Sequence, residues 1–304
     1  MLDEYRSLFK PLAPMQQERA DHVVIYFRDN IYVLGGMAYR GESEGGVPFV
    51  KSLNSAEMFN IKSQTWTTLE SFNKPRQAFS VCQFNEKFIF IIGGKTMGAE
   101  AKVGEMDQMS NTTASPYVTS TCPYDFVAEV EAYDIEKGLW KTLNYITDSA
   151  KLRTLYAGSI QVTGKKIMIF GGIVGADDDQ GEAETMHDGG GTIALTAQSF
   201  YLDVTKGSIK RGPDLVTPGY YVNNGGCLLN MQNKLYAQGF GLNQDLVTKD
   251  KVKKAARDLS ITYHHKKILH CYDLAEQSFT EIHEGIFSSA QRKEQQDQEG
   301  REDE

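Results

Sequence analysis

The chain has 304 residues, 40% hydrophobic and 24% charged, a globular composition with room for one large all-β domain or two ordinary ones. Its formal charge of −8 argues against a nucleic-acid-binding surface over the whole molecule. No run approaches about 18 consecutive apolar residues, and MLDEYRSLFK lacks the basic start and apolar core of a secretory signal, so neither a membrane span nor export is expected.

In chain order, YRSLFKPLAPM (5–15) comes first and reads as the outermost strand of a partial unit, Tyr5-x-x-Leu8 anticipating Trp66-x-x-Leu69 further on. HVVIYF (22–27) alternates and NIYVLGG (30–36) is a short apolar run ending in two glycines, the mark of a strand buried on both faces. EMFNIKSQTW (57–66) then spaces Phe59 and Trp66 seven apart around Asn60, as two short strands joined by a tight turn would. The same order returns: FSVCQF (79–84), FIFIIGG (88–94), EAYDIEKGLW (131–140) with Tyr133 and Trp140. A third unit has KIMIFGG (166–172) and FYLDVTKGSI (200–209), where Tyr201 has no large aromatic partner. A fourth has NKLYAQGF (233–240) and HCYDLAEQSF (270–279), with Gly239 read in the place of Gly35 and Phe240 in that of the second glycine. The charged end, 288–304, reads as a disordered acidic tail.

Each unit thus has four strands: a, b ending at the glycines, c carrying the first aromatic, and d carrying the second. Four-stranded units repeated with a glycine doublet and a paired aromatic point to radial blades rather than a β-sandwich, which has no need of the same landmarks in the same order. The pattern resembles the kelch family of β-propellers from about residue 5 to about 285. The resemblance implies an all-β propeller over 16–287, with blades at about 16–72, 73–146, 150–212 and 218–285 after a partial d-type strand at 1–15. Five d strands for four a-b-c sets leave three arrangements open: a four-bladed closure with a spare strand, a fragment or incomplete ring, which is favoured, or an open side that pairs with another chain.

Alternation of strand direction places the long b–c loops, roughly 37–54, 95–127, 173–193 and 241–266, on one face with the d–a links. That face is the expected binding surface. The first loop offers Tyr39, Arg40 and Phe49, the second Tyr117 and Tyr124, side chains suited to adaptable contacts. The third carries Asp177, Asp178 and Asp179; its spacing matches no EF-hand, and a solvated acidic loop is the plainer reading. The fourth, read as a short helix over 248–260, is basic through Lys251, Lys253, Lys254 and Arg257. Arg19, Arg76 and Arg153 each precede an a strand. An arginine here is typical of kelch repeats and in some members faces the ligand, the alternative being a structural role at the blade entrance.

Enzyme signatures are missing. None of the six histidines sits in HExxH or beside a cysteine at metal spacing, and neither a phosphate-cradling loop nor GxSxG occurs. The four cysteines, Cys82, Cys122, Cys227 and Cys271, form no CxxC pair and read as free thiols of a reducing, cytoplasmic setting. The expectation is a non-catalytic module or scaffold that binds a protein or peptide, with no cofactor or metal and no nucleic-acid or membrane partner. The alternative is a propeller enzyme acting on a sugar, or using a metal, at the central channel.

Overall fold

The computed structural model describes residues 11–42, 48–97, 124–175, 184–188, 191–221, 229–231, 233–242 and 265–282. Within these residues the chain is all-β apart from a 3-10 turn at Ser149–Leu152. Blade 1 consists of β1 (Val23–Phe27), β2 (Asn30–Leu34), an inserted hairpin β3 (Met37–Glu42) and β4 (Pro48–Ser52), then β5 (Ala56–Asn60) and β6 (Thr65–Leu69). Blade 2 has β7 (Ser80–Phe84), β8 (Phe88–Ile92), the hairpin β9 (Lys95–Met97) and β10 (Tyr124–Phe126), then β11 (Glu131–Asp134) and β12 (Leu139–Thr142). Blade 3 has β13 (Gly158–Thr163), β14 (Lys166–Phe170), an inserted three-stranded sheet β15 (Ile173–Gly175), β16 (Glu184–Asp188) and β17 (Gly191–Leu195), then β18 (Ser199–Asp203) and β19 (Ser208–Arg211). Blade 4 has β20 (Leu229–Met231), β21 (Lys234–Leu242), β22 (His265–Asp273) and β23 (Ser278–Glu281). Each blade is a four-stranded antiparallel sheet in the spatial order a-b-c-d. The four follow one another as blades of a β-propeller.

The c–d turns form because one carboxamide or carboxylate organises each. Asn60 accepts from the N–H groups of Lys62 and Ser63, and Asp134, Asp203 and Asp273 repeat the arrangement. Four residues on, Gln64, Gly138, Gly207 and Gln277 all take positive φ.

The glycine doublets answer to close packing between blades. The N–H groups of Gly36, Gly94 and Gly172 donate to the carbonyls of Arg76, Thr154 and Gly219, each in the link that enters the next blade, at 2.7–3.0 Å. A Cβ on Gly35, Gly93 or Gly171 would stand within 2.7 Å of those same carbonyls, and all three have positive φ. Between the blades lie apolar clusters: Val23, Leu34 and Phe27 of blade 1 on Val81 and Ile91 of blade 2; Cys82, Phe90 and Ile92 on Ile167, Ile169 and Leu202; Met168 and Phe170 on Tyr221, Leu235 and Tyr272. No core cluster among the described residues joins blade 4 to blade 1.

Three register readings change. Leu202, not Tyr201, occupies the place of Phe59 and Tyr133: Leu202 pairs Ile209 as Phe59 pairs Trp66, and Tyr201 turns to the opposite face, where its hydroxyl meets that of Tyr272 at 2.5 Å. In blade 4 the spacing is one residue shorter. Phe240 makes the bridge to Tyr220 that Met37 makes to Ala20, so a single Gly239 stands for the doublet and Phe240 replaces neither glycine. Without the two consecutive positive-φ residues β21 is not broken, and it runs straight on as a nine-residue strand. Finally, Trp66 Nε1 donates to the Ala13 carbonyl as Trp140 Nε1 donates to that of Glu70, which matches Leu12, not Leu8, to Leu69. Residues 1–10 and the tail 288–304 lie outside the described residues.

Candidate functional site

The b–c insertions and the d–a links do share a face. The first residue after each glycine site pairs with the link: Met37 with Ala20, Lys95 with Gln77, Ile173 with Leu155, Phe240 with Tyr220. Above this floor the insertions are built as β-structure. The hairpins of blades 1 and 2 touch side by side, and the Met97 N–H donates to Ser52 Oγ at 2.9 Å. The floor itself is aromatic and apolar. Leu155, Tyr156, Ile173 and Leu195 form a buried cluster with Phe126 and Tyr220 packed on it, and Tyr220 stacks on Phe240 with centroids 5.6 Å apart.

Near the axis the links bond to one another. The N–H of Tyr156 donates to Ala78 and that of Tyr221 to Tyr156, while the Tyr156 hydroxyl donates to the Asp21 carboxylate at 2.9 Å. Burial raises the Asp21 carboxyl above its usual range, against the opposing pull of that hydrogen bond and of Lys95. Burial, together with the Arg19 charge, lowers His22. Tyr221 is fully buried, its hydroxyl 2.9 Å from His270 Nδ1, and desolvation pushes its ionisation upward. Asp21 and Tyr156 were not among the sequence candidates; nothing in the local pattern at either position shows that they meet.

The arginines require a correction. The side chains of Arg19 and Arg76 are 0% exposed and reach Glu57 and Glu131 at 2.7 and 2.6 Å. Each also donates to the carbonyl of its doublet's first glycine, Gly35 or Gly93. The same carboxylates accept from backbone N–H groups of the link, Gln16 and Gln17 in blade 1, Asn73 and Lys74 in blade 2. These two arginines clamp the link to strand c and present no surface to a ligand. Arg153 is exposed but lies one residue before the equivalent position, which Thr154 holds. Where the arginine is missing the glutamate is missing too: Phe200 and His270 stand at its register position in blades 3 and 4. In blades 1 and 2 each buried arginine thus keeps its counter-charge, and in blades 3 and 4 neither member of the pair is present.

Of the loop candidates, Tyr39 and Arg40 are exposed on β3, Tyr39 by 49%. Phe49 lies in β4 and Tyr124 in β10, on this face by topology. Tyr117, Asp177, Asp178, Asp179, Lys251, Lys253, Lys254 and Arg257 lie outside the described residues. No group of three or more metal-ligating side chains occurs among the described residues.

Residues 18–73, which span blade 1 and its entering link, match the Kelch motif model. Blade 1 thus carries a Kelch motif, and the chain is similar to kelch-repeat proteins. Two relatives, both F-box/kelch-repeat proteins of Arabidopsis thaliana, are similar to it. One is 32% identical over 85 residues, 28% of this chain and 20% of the relative; the other is 24% identical over 178 residues, 51% of this chain and 40% of the relative. The chain therefore spans well under half the length of either. A solved structure titled "Structure of YjhT" is similar at 14% identity and a TM-score of 0.49, covering 88% of this chain and 72% of that one.

Proposed function

We propose that this kelch propeller is a non-catalytic protein-binding module whose b–c face holds a peptide or protein partner. One observation carries the reading: among the described residues the b–c connections of blades 1, 2 and 3 are elaborated into β-sheet on the same face, over a floor of half-buried aromatics, with Tyr39 and Arg40 exposed at the rim. Aromatic residues and arginine are what protein interfaces favour at their centres. The names of the two relatives, which pair the kelch repeat with an F-box, are in keeping with a protein partner. We place the module in the cytoplasm, where Cys82 and Cys271 would stay the buried free thiols they are here.

The test compares affinity capture by the intact chain with capture by one whose b–c insertions are trimmed to Gly/Ser turns, both shown to be folded. Partners lost on trimming, and lost again with Tyr39→Ala and Arg40→Ala, support the reading. Partners retained by the trimmed chain move the binding surface elsewhere. A transition metal held at about one per chain, or a sugar that raises the melting temperature by several degrees, would overturn it in favour of chemistry at the axis.

A further inference from the structure

Among the buried and half-buried charges of the links, Arg19, Lys74 and Arg76 each contact a carboxylate at 2.6–3.0 Å. Asp21 differs. It is half-buried, yet it contacts no cation among the described residues: Arg19 is taken up by Glu57, and Lys95 acts on Asp21 through its charge without forming an ion pair with it. What bonds the carboxylate is the neutral Tyr156 hydroxyl, 2.9 and 3.1 Å from its two oxygens. The placement follows from the repeat. Asp21, Ala78 and Tyr156 each come directly after the residue that bridges to the b–c connection, and all three take left-handed backbone, with φ +52, +56 and +52. Tyr156 bonds Ala78 through its N–H and Asp21 through its hydroxyl, so the link of blade 3 reaches that of blade 1 across the link of blade 2.

A second polar group lies here unmet. Gln77 faces Lys95 in an antiparallel bridge, which puts the two side chains on one side of the pair, and Lys95 is close enough to Asp21 to act on it. Gln77 is only 2% exposed, and its Oε1 is buried with no hydrogen-bond partner among the described residues. The groups gathered at this point are therefore mostly acceptors: the Asp21 carboxylate, the Tyr156 oxygen whose proton is already given to it, and Gln77 Oε1. Beside them stand aromatic rings, Tyr220 at 6.3 Å from Tyr156 and Phe240 stacked on Tyr220 at 5.6 Å. Acceptors around one negative charge, next to aromatic rings, suit a cation with several donors and a flat face. A guanidinium has five donors and stacks on aromatic rings, whereas an ammonium has three and no plane. The formal charge of −8 also favours approach of a basic partner.

We infer that Asp21, Tyr156 and Gln77 form a socket near the axis for an arginine side chain of the protein or peptide partner, an inference that rests on the b–c face being the binding face. The test titrates the isotope-labelled full chain with N-acetyl-arginine amide and follows the amide resonances of Asp21, Gln77 and Tyr156. Saturable shifts at these residues in the millimolar range are expected, as suits a single side chain, and none with the uncharged N-acetyl-citrulline amide. Asp21→Asn keeps a residue that tolerates left-handed backbone and should weaken binding about tenfold or more. Should that variant not fold, Tyr156→Phe, which removes one hydroxyl, should weaken it severalfold. Lys95→Ala removes the opposing charge and should tighten it about twofold or more. No saturable shift, equal binding of the citrulline amide, or binding indifferent to Asp21→Asn would overturn the inference. So would loss of binding with Lys95→Ala, in favour of an anion held by that lysine. The same variants separate this socket from the wider reading. Partners lost on trimming the insertions but held at full affinity by Asp21→Asn would sink the socket and leave the b–c face standing, whereas partners indifferent to trimming would sink the face itself.

Discussion

Removing Glu131 leaves the Arg76 guanidinium, 0% exposed, without the carboxylate that bonds it at 2.6 Å, and deprives the Asn73 and Lys74 N–H groups of their acceptor. A buried pair broken from one side costs about 3–5 kcal/mol, and each orphaned N–H about 1–3 kcal/mol more before relaxation. Glu131→Leu should therefore cost about 5 kcal/mol, near the whole stability of a modest domain. Arg76→Met leaves the carboxylate its two N–H donors and should cost less, about 3 kcal/mol. The double variant buries no charge and should cost only about 2–3 kcal/mol for the two N–H groups, so the pair should be non-additive by about 5 kcal/mol. Blades 3 and 4 give the precedent, with Thr154 opposite Phe200 and Gly219 opposite His270 where blades 1 and 2 have the pair. Urea unfolding followed by the fluorescence of Trp66 and Trp140 measures all three. Additive costs, or a Glu131→Leu cost below about 1 kcal/mol, would refute the clamp as the reason these arginines are there.

Other consequences are more local. Gln64 and Gln277 hold positive φ at turn positions where Gly138 and Gly207 stand in the sister blades. Replacing either with glycine should raise stability by about 0.5–1 kcal/mol, the left-handed strain relieved less the added chain entropy, read as a higher urea midpoint. Gly93→Ala puts a Cβ 2.7 Å from the Thr154 carbonyl at φ +68 and should cost more than about 2 kcal/mol, with the melting temperature as the measure. Trp140 is half-buried against Phe72 and Tyr133, so Trp140→Ala should cost about 2–3 kcal/mol, below the 3–5 kcal/mol of a fully buried aromatic. Asp273 is held below the usual carboxylate range by the N–H groups of Glu276 and Ala275. Its contribution is present above its unfolded value and lost as pH falls through the folded one, so Asp273→Asn should flatten the acid limb of a stability–pH curve.

What the sequence made legible was what is local. A run of apolar residues stopped by two glycines announces strand b, and an aromatic followed by Asn or Asp announces the c–d turn; both are present in blades 1 and 2, while blade 3 keeps only the doublet and blade 4 only the aromatic before Asp273. What it hid was register and pairing. Deletion of one residue beside Gly239 looks, in sequence, like substitution of a glycine by Phe240; only the bridge to Tyr220 separates the two. The arginines show the same limit. Their carboxylate partners are 38 and 55 residues away, beyond any local window, so a cation before strand a read as a ligand contact. Yet the signal was present, because Glu57 and Glu131 stand two residues before Phe59 and Tyr133, and the third and fourth blades lack both members together. A buried cation needs its counter-charge, so the sequence test for a ligand-facing arginine at this position is the absence of that glutamate. By that test, neither Arg19 nor Arg76 qualifies. Arg153, one residue off the position in a blade without the glutamate, is the arginine at a blade entrance that remains exposed.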